Sequence, residues 1–134
     1  MDQDTVVVEQ RTSGERLIAA LEARGFDVPL AFWAKPTEED EWYLYLASPF
    51  VAAHGGHAAY RLVHDTIRSL ADLWIKPLEV KVLRMDDSLT EAALKKRKPQ
   101  PFPGMTRFGG STLGGLGIDG AYIYPAPLLS APAS

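Results

Sequence analysis

Hydrophobic and polar positions alternate most clearly between Ala31 and Ser48, AFWAKPTEEDEWYLYLAS. Two apolar, aromatic runs flank Pro36, Thr37 and the acidic residues Glu38, Glu39, Asp40 and Glu41, the pattern of a β-hairpin with a charged turn. In its second strand Trp42, Leu44 and Leu46 share one face, and Tyr43, Tyr45 and Ala47 share the other. Neither face is polar. Such a strand is either central and covered twice, or keeps one face for a partner.

The period changes on both sides of this hairpin. Val6 to Val8 reads as an edge strand or a loose arm. Thr12 and Glu15 match a capping box that opens a helix running to about Arg24, with Leu17, Ile18 and Leu21 on one side. Gly25 fits the left-handed position beyond its end. After Ser48-Pro49 a Gly-Gly pair introduces the longest expected helix, His57 to Trp74, with an apolar stripe of Ala59, Leu62, Val63, Ile67, Leu70 and Trp74. Lys76-Pro77 ends it, and Leu78 to Arg84 alternates as a strand. Strand, helix and strand in this order suit a crossover between parallel neighbours. Ser88 and Glu91 form a second capping box opening a short helix. Lys98 to Gly104, KPQPFPG, reads as a stiff connector. Short strands are expected near Met105–Phe108 and Ala121–Tyr124, with a glycine-rich span between them.

These elements predict an α+β fold. It is a two-layer sandwich in which a mostly antiparallel sheet of four to five strands carries two longer helices on one face, with a short third helix. Residues 1–124 make the single domain, and residues 125–134, rich in proline and without charge, make a tail that docks Leu128 and Leu129 or stays free. A chain of this length buries roughly two-thirds of its unfolded surface and folds without staples. Cysteine is absent. That excludes disulfides, a thiolate nucleophile and Cys-ligated zinc, and it suits the cytoplasm. The net charge of −3 argues against a general nucleic-acid binder. The first residues, MDQDTVVVEQ, do not read as a secretory leader, and no apolar run approaches the roughly 20 residues of a membrane helix.

Several stretches carry candidate chemistry. Gly109 to Gly117, GGSTLGGLG, lacks the Gly-Lys-Ser/Thr ending of a phosphate loop and the strand-then-helix setting of a dinucleotide fingerprint. A glycine-bearing turn or bulged strand pair is the simpler reading, and a mobile ligand-covering loop the other. His57 and His64 lie two helical turns apart, about 10 Å, too far to share a metal. His57, Arg61, His64 and Arg68 instead form a row opposite the apolar stripe, suited to an anionic ligand unless it is simply a solvated face balanced by Asp65 and Asp72. Lys95 to Lys98 form a basic cluster that offsets a helix C-terminus and is a minor candidate for nucleic acid. No nucleophile elbow or carboxylate cluster points to catalysis.

The aromatic surplus is the strongest functional signal. Two of the three tryptophans and two of the five tyrosines lie in the hairpin. Trp33, Trp42, Tyr43 and Tyr45, with Tyr122 and Tyr124 in the last strand, exceed what one sheet face easily buries. Either they are core, covered by the helices on one side and the C-terminal segment on the other, or they form an interface, since tyrosine and tryptophan are enriched where proteins meet. The leading expectation is therefore a non-catalytic protein-interaction module, pairing with itself or another protein through an aromatic sheet face, with no cofactor, no metal and no membrane. The alternative is an anionic-ligand or nucleic-acid-binding domain using the helix row and the Gly-rich loop. A small enzyme with an unseen site is the third reading.

Overall fold

The computed structural model describes residues 8–39, 41–98 and 105–125. Among them the chain forms four helices and a five-stranded, mostly antiparallel sheet, an α+β fold. The helices are α1 (Val8–Ala23), α2 (Phe50–His54), α3 (Gly56–Ser69) and α4 (Ser88–Lys96). The strands are β1 (Leu30–Pro36), β2 (Tyr43–Ala47), β3 (Val80–Leu83), β4 (Thr106–Leu113) and β5 (Leu116–Ile123), ordered β3-β2-β1-β5-β4.

The aromatic hairpin is the middle of this sheet. β1 and β2 pair antiparallel, with Phe32 opposite Tyr45 and Trp33 opposite Leu44. β5 lies on the other side of β1, and β3 runs parallel to β2 after the α2–α3 crossover. Because β1 is central, Leu30 to Pro36 are all buried, with Leu30, Phe32 and Ala34 on one face and Ala31 and Trp33 on the other. The two longer helices, α1 and α3, cover the Trp33 face through Leu17, Ile18, Leu21, Ala59, Val63 and Ile67. The short helix α4 lies on the opposite face, where Leu89 and Ala93 pack with Phe32, Tyr45 and Ile123. The sheet is thus covered on both sides over part of its area, as a central strand apolar on both faces requires.

Several boundaries differ from those that the sequence predicts. Val8, expected in a strand, begins α1; Val6 and Val7 lie outside the described residues. The Thr12/Glu15 pattern falls inside the helix, because Ser13 and Gly14 belong to its buried stripe. There the Tyr124 hydroxyl donates to the Arg11 carbonyl at 2.8 Å and accepts from Trp33 Nε1 at 3.0 Å. The Ser13 hydroxyl accepts from the Trp74 amide at 2.9 Å.

The helix expected over 57–74 stops at Ser69. Leu70 is extended, and Asp72 takes a positive φ of 56° while Arg16 holds the Ala71 carbonyl. Trp74 therefore leaves the stripe and is 57 % exposed. Leu78, expected inward in a strand, sits in a single 3-10 turn over Pro77–Glu79, closed by the Glu79 carboxylate accepting from the Lys76 amide, and is 85 % exposed. The cap of α4 is Asp87, which accepts from the Leu89 amide at 2.8 Å, one residue before the expected Ser88.

The glycine-rich span is mostly strand. β4 and β5 form one hairpin across it, turning at Gly114 and Gly115, both at positive φ as a two-residue turn demands. A side chain at Gly114 would collide with the Ser88 carbonyl and the Leu89 backbone, so glycine lets the hairpin tip close against the start of α4. Residues 99–104 of the connector and the tail from residue 126 onward lie outside the described residues.

Gly14 and Tyr124 yield a direct test. A methyl group at Gly14 would overlap the Tyr124 hydroxyl and meet its Cζ at 3.1 Å. Gly14→Ala should cost about 1–3 kcal/mol by overpacking. Tyr124→Phe should cost about 1–3 kcal/mol by leaving the Trp33 indole unpaired. The double variant should be less destabilised than the sum, because the clashing atom is the one removed. Denaturant melts of all four proteins measure this; strict additivity would show that the contact is not made.

Candidate functional site

The α4-bearing face of the sheet is not covered to its end. β1 bulges between Lys35 and Pro36, and the chain turns away through Thr37. The Thr37 amide donates to the Gly117 carbonyl at 2.9 Å, and its hydroxyl to Asp119 Oδ1 at 3.1 Å. The Glu39 amide then returns to the Pro36 carbonyl at 3.1 Å. This pins the acidic turn to β5. It leaves the first residues of β2 and β3, with Tyr43 and Lys81, as a ledge beyond α4.

Tyr43 divides the ledge. It is half-buried, its hydroxyl donates to Glu39 Oε1 at 2.9 Å, and Lys81 Nζ lies 4.8 Å from its ring centroid. On one side a cleft of about 560 Å³ is lined by Glu41, Tyr43, Lys76, Pro77, Leu78 and Glu79. On the other, a cleft of about 530 Å³ runs between the acidic turn, Tyr45, Lys81 and the Gly115–Gly117 stretch of the β-hairpin. The hydrogen bond to Glu39 raises the Tyr43 pKa above its ordinary value. Burial and the charges of Glu39, Glu41 and Glu79 push the same way. The ledge is a negative region with apolar walls, tempered by two lysines.

The four tyrosines expected to share a face do not. Tyr43 and Tyr45 point to the α4 side; Tyr122 and Tyr124 point to the α1 side. Tyr45 is 6 % exposed and stacks on Phe32, with centroids 4.9 Å apart and planes 5° from parallel. Tyr124 is fully buried and has no area to offer a partner. Tyr122 is partly buried against Trp42, with the Arg107 guanidinium 5.5 Å from its ring. Of the four, Tyr43 and Tyr122 keep part of their surface exposed; Tyr43 lines one cleft and Tyr45 the other.

His57, Arg61, His64 and Arg68 do form a row on the outward side of α3, but their local bonds are already made. Arg61 donates to His57 Nε2 at 2.9 Å, Arg68 pairs with Asp65, and the His64 ring packs 5.9 Å from Tyr60. The row and the Gly-rich hairpin lie on opposite faces of the sheet, since Gly114 closes on α4. They do not make one site. Among the described residues no group of three or more His, Asp and Glu is placed to hold a metal ion. None of the hydrogen bonds found for Ser13, Ser48, Ser69 and Ser88 involves a histidine. No helix described is long and apolar enough to cross a membrane.

Leu78 and Trp74 were missed as surface features, because their spacing imitates buried stripes. Pro77, beside Leu78 and three residues after Trp74, was the available signal. No protein-family model matches the chain, and no curated protein or solved structure matches it either.

The two hairpin tyrosines should separate cleanly in experiment. Burial, with a smaller contribution from Glu39, raises Tyr45 to about 12. Its folded pKa exceeds its unfolded value of about 10, so the stability it contributes is complete below pH 10. That stability declines between about pH 10 and 12 as the unfolded chain releases the proton first. Tyr45→Phe should flatten this alkaline loss. Tyr45→Ala should cost about 3–5 kcal/mol, and Tyr43→Ala about 1 kcal/mol or less. Equal losses for the two alanine variants would place both rings in the core.

Proposed function

We propose that the chain is a non-catalytic protein-interaction module whose docking surface is the Tyr43 ledge. The observation that carries this reading is the pair of clefts on either side of Tyr43. One is walled by Tyr43, Pro77 and a Leu78 that is 85 % exposed, the other by Tyr45, Leu116 and Lys81. A large aliphatic side chain left this open costs solubility, and next to a half-buried tyrosine with its hydroxyl already oriented it has the make-up of an interface anchor. The carboxylates around the ledge supply the polar rim that such interfaces carry. The anionic-ligand reading has less support, because two arginines of the α3 row are occupied by His57 and Asp65.

Native mass spectrometry of the protein isolated from its own cells tests the reading. A stoichiometric complex with protein is the expected result, and Tyr43→Ala combined with Leu78→Ser should remove it while the melting curve of the isolated chain barely moves. A bare monomer, or a complex indifferent to both substitutions, would overturn it.

A further inference from the structure

We propose that the partner on this ledge is a second copy of the same chain, seated about a twofold axis so that each acidic turn meets the other copy's α4 C-terminus. The inference rests on the interaction-module reading and names its partner. Both halves of a complementary pair are present in one molecule, at opposite ends of one face. The acidic half follows Pro36, at the end of β1, where Glu38 and Glu41 are exposed beside the Tyr43 clefts. The basic half lies at the beginning of β1. There α4 ends with Lys95 and Lys98 exposed, the Arg97 guanidinium donating to the Pro29 carbonyl at 2.9 Å and the Lys98 amide to Thr106 Oγ1 at 2.9 Å.

The seven residues of β1 separate the two halves by about 20 Å. One molecule therefore cannot bring them together. Two molecules can, when their α4-bearing faces meet in antiparallel fashion. A twofold axis through that face then makes both contacts at once, as an isologous interface requires.

α4 stands on the sheet over Phe32 and Ile123, and the apolar wall of Tyr43, Pro77 and Leu78 lies beside it, so face-to-face pairing buries that wall against the second copy. Each ion pair at the rim contributes little by itself. Their main effect is to set the antiparallel orientation and exclude the parallel one, in which like charges would face each other.

Sedimentation equilibrium on the full chain tests the pairing. The wild type should dimerise, and its dissociation constant should rise between about 0.01 M and 1 M salt as the rim is screened. Glu38→Lys with Glu41→Lys, and separately Lys95→Glu with Lys98→Glu, should each weaken the homodimer by at least about tenfold. An equimolar mixture of the two variants should recover dimerisation, because acidic and basic ends are again opposed in both contacts. Unchanged melting curves for the variants establish that the loss is one of association. Wild type that stays monomeric to about 1 mM at low salt, or a mixture that fails to recover, overturns the self-pairing. A monomer found in cells bound to a different protein through Tyr43 would overturn it and leave the module reading standing. A bare monomer there would remove both.

Discussion

The architecture depends on one buried contact, the Tyr124 hydroxyl held between the Trp33 indole and the Arg11 carbonyl against Gly14. It joins the central strand, the first helix and the residue after the last strand, which are far apart in sequence. The hydroxyl pairs the Trp33 indole N–H, which would otherwise be buried without a partner, so its loss is more expensive than the bond is strong. Gly14 is what allows it, since any side chain there would lift α1 off the sheet. Once α1 is set, Arg24 reaches the Thr66 and Ser69 hydroxyls and Arg16 reaches the Ala71 carbonyl. Those bonds register α3 against α1 at the point where α3 ends.

That early stop has consequences at the other side of the sheet. With α3 ended at Ser69, residues 70–79 pass over the helix ends in turns, Trp74 is left on the surface, and Pro77-Leu78-Glu79 makes a 3-10 turn before β3 begins. The turn delivers Leu78 and Glu79 beside Tyr43. The Tyr43 ledge is therefore assembled by two constraints: the 3-10 turn on one flank, and the Thr37 bonds that tie the acidic turn to β5 on the other. Between them α4 and the β4–β5 hairpin cover the rest of the face, leaving a step rather than a flat sheet.

Tyr43 and Tyr45 show how two neighbouring residues of similar chemistry come to differ. They point the same way from β2. Tyr45 lies under the reach of α4 and the β-hairpin, stacks on Phe32 and has its ionisation pushed to about 12 by burial. Tyr43, two residues nearer the edge of that cover, keeps its hydroxyl on Glu39 and its ring under Lys81. The distinction lies in how far the covering elements extend, which no local pattern encodes.

Much of the fold was legible because it follows from short-range rules. The alternation of Trp42, Leu44 and Leu46 against Tyr43, Tyr45 and Ala47 defined β2 and its two apolar faces. Charged residues after Pro36 defined the turn, and the β-α-β order predicted the parallel β2–β3 pair. The same local rules misplace Leu78, which continues a period-2 pattern, and Trp74, which continues a helical stripe. The backbone there obeys Leu70, Asp72 and Pro77 instead. Tyr122 and Tyr124 were grouped with Tyr43 and Tyr45 by residue type. The antiparallel register of β5 on β1 sends them to the opposite face. By itself, then, the sequence determined the α+β class, the central hairpin and the concentration of aromatic residues there, since periodicity and turn chemistry act within a few residues. Tertiary structure alone decided which tyrosines are reachable and where the acidic and basic ends lie, because those depend on register, strand order and the reach of α4 across the sheet.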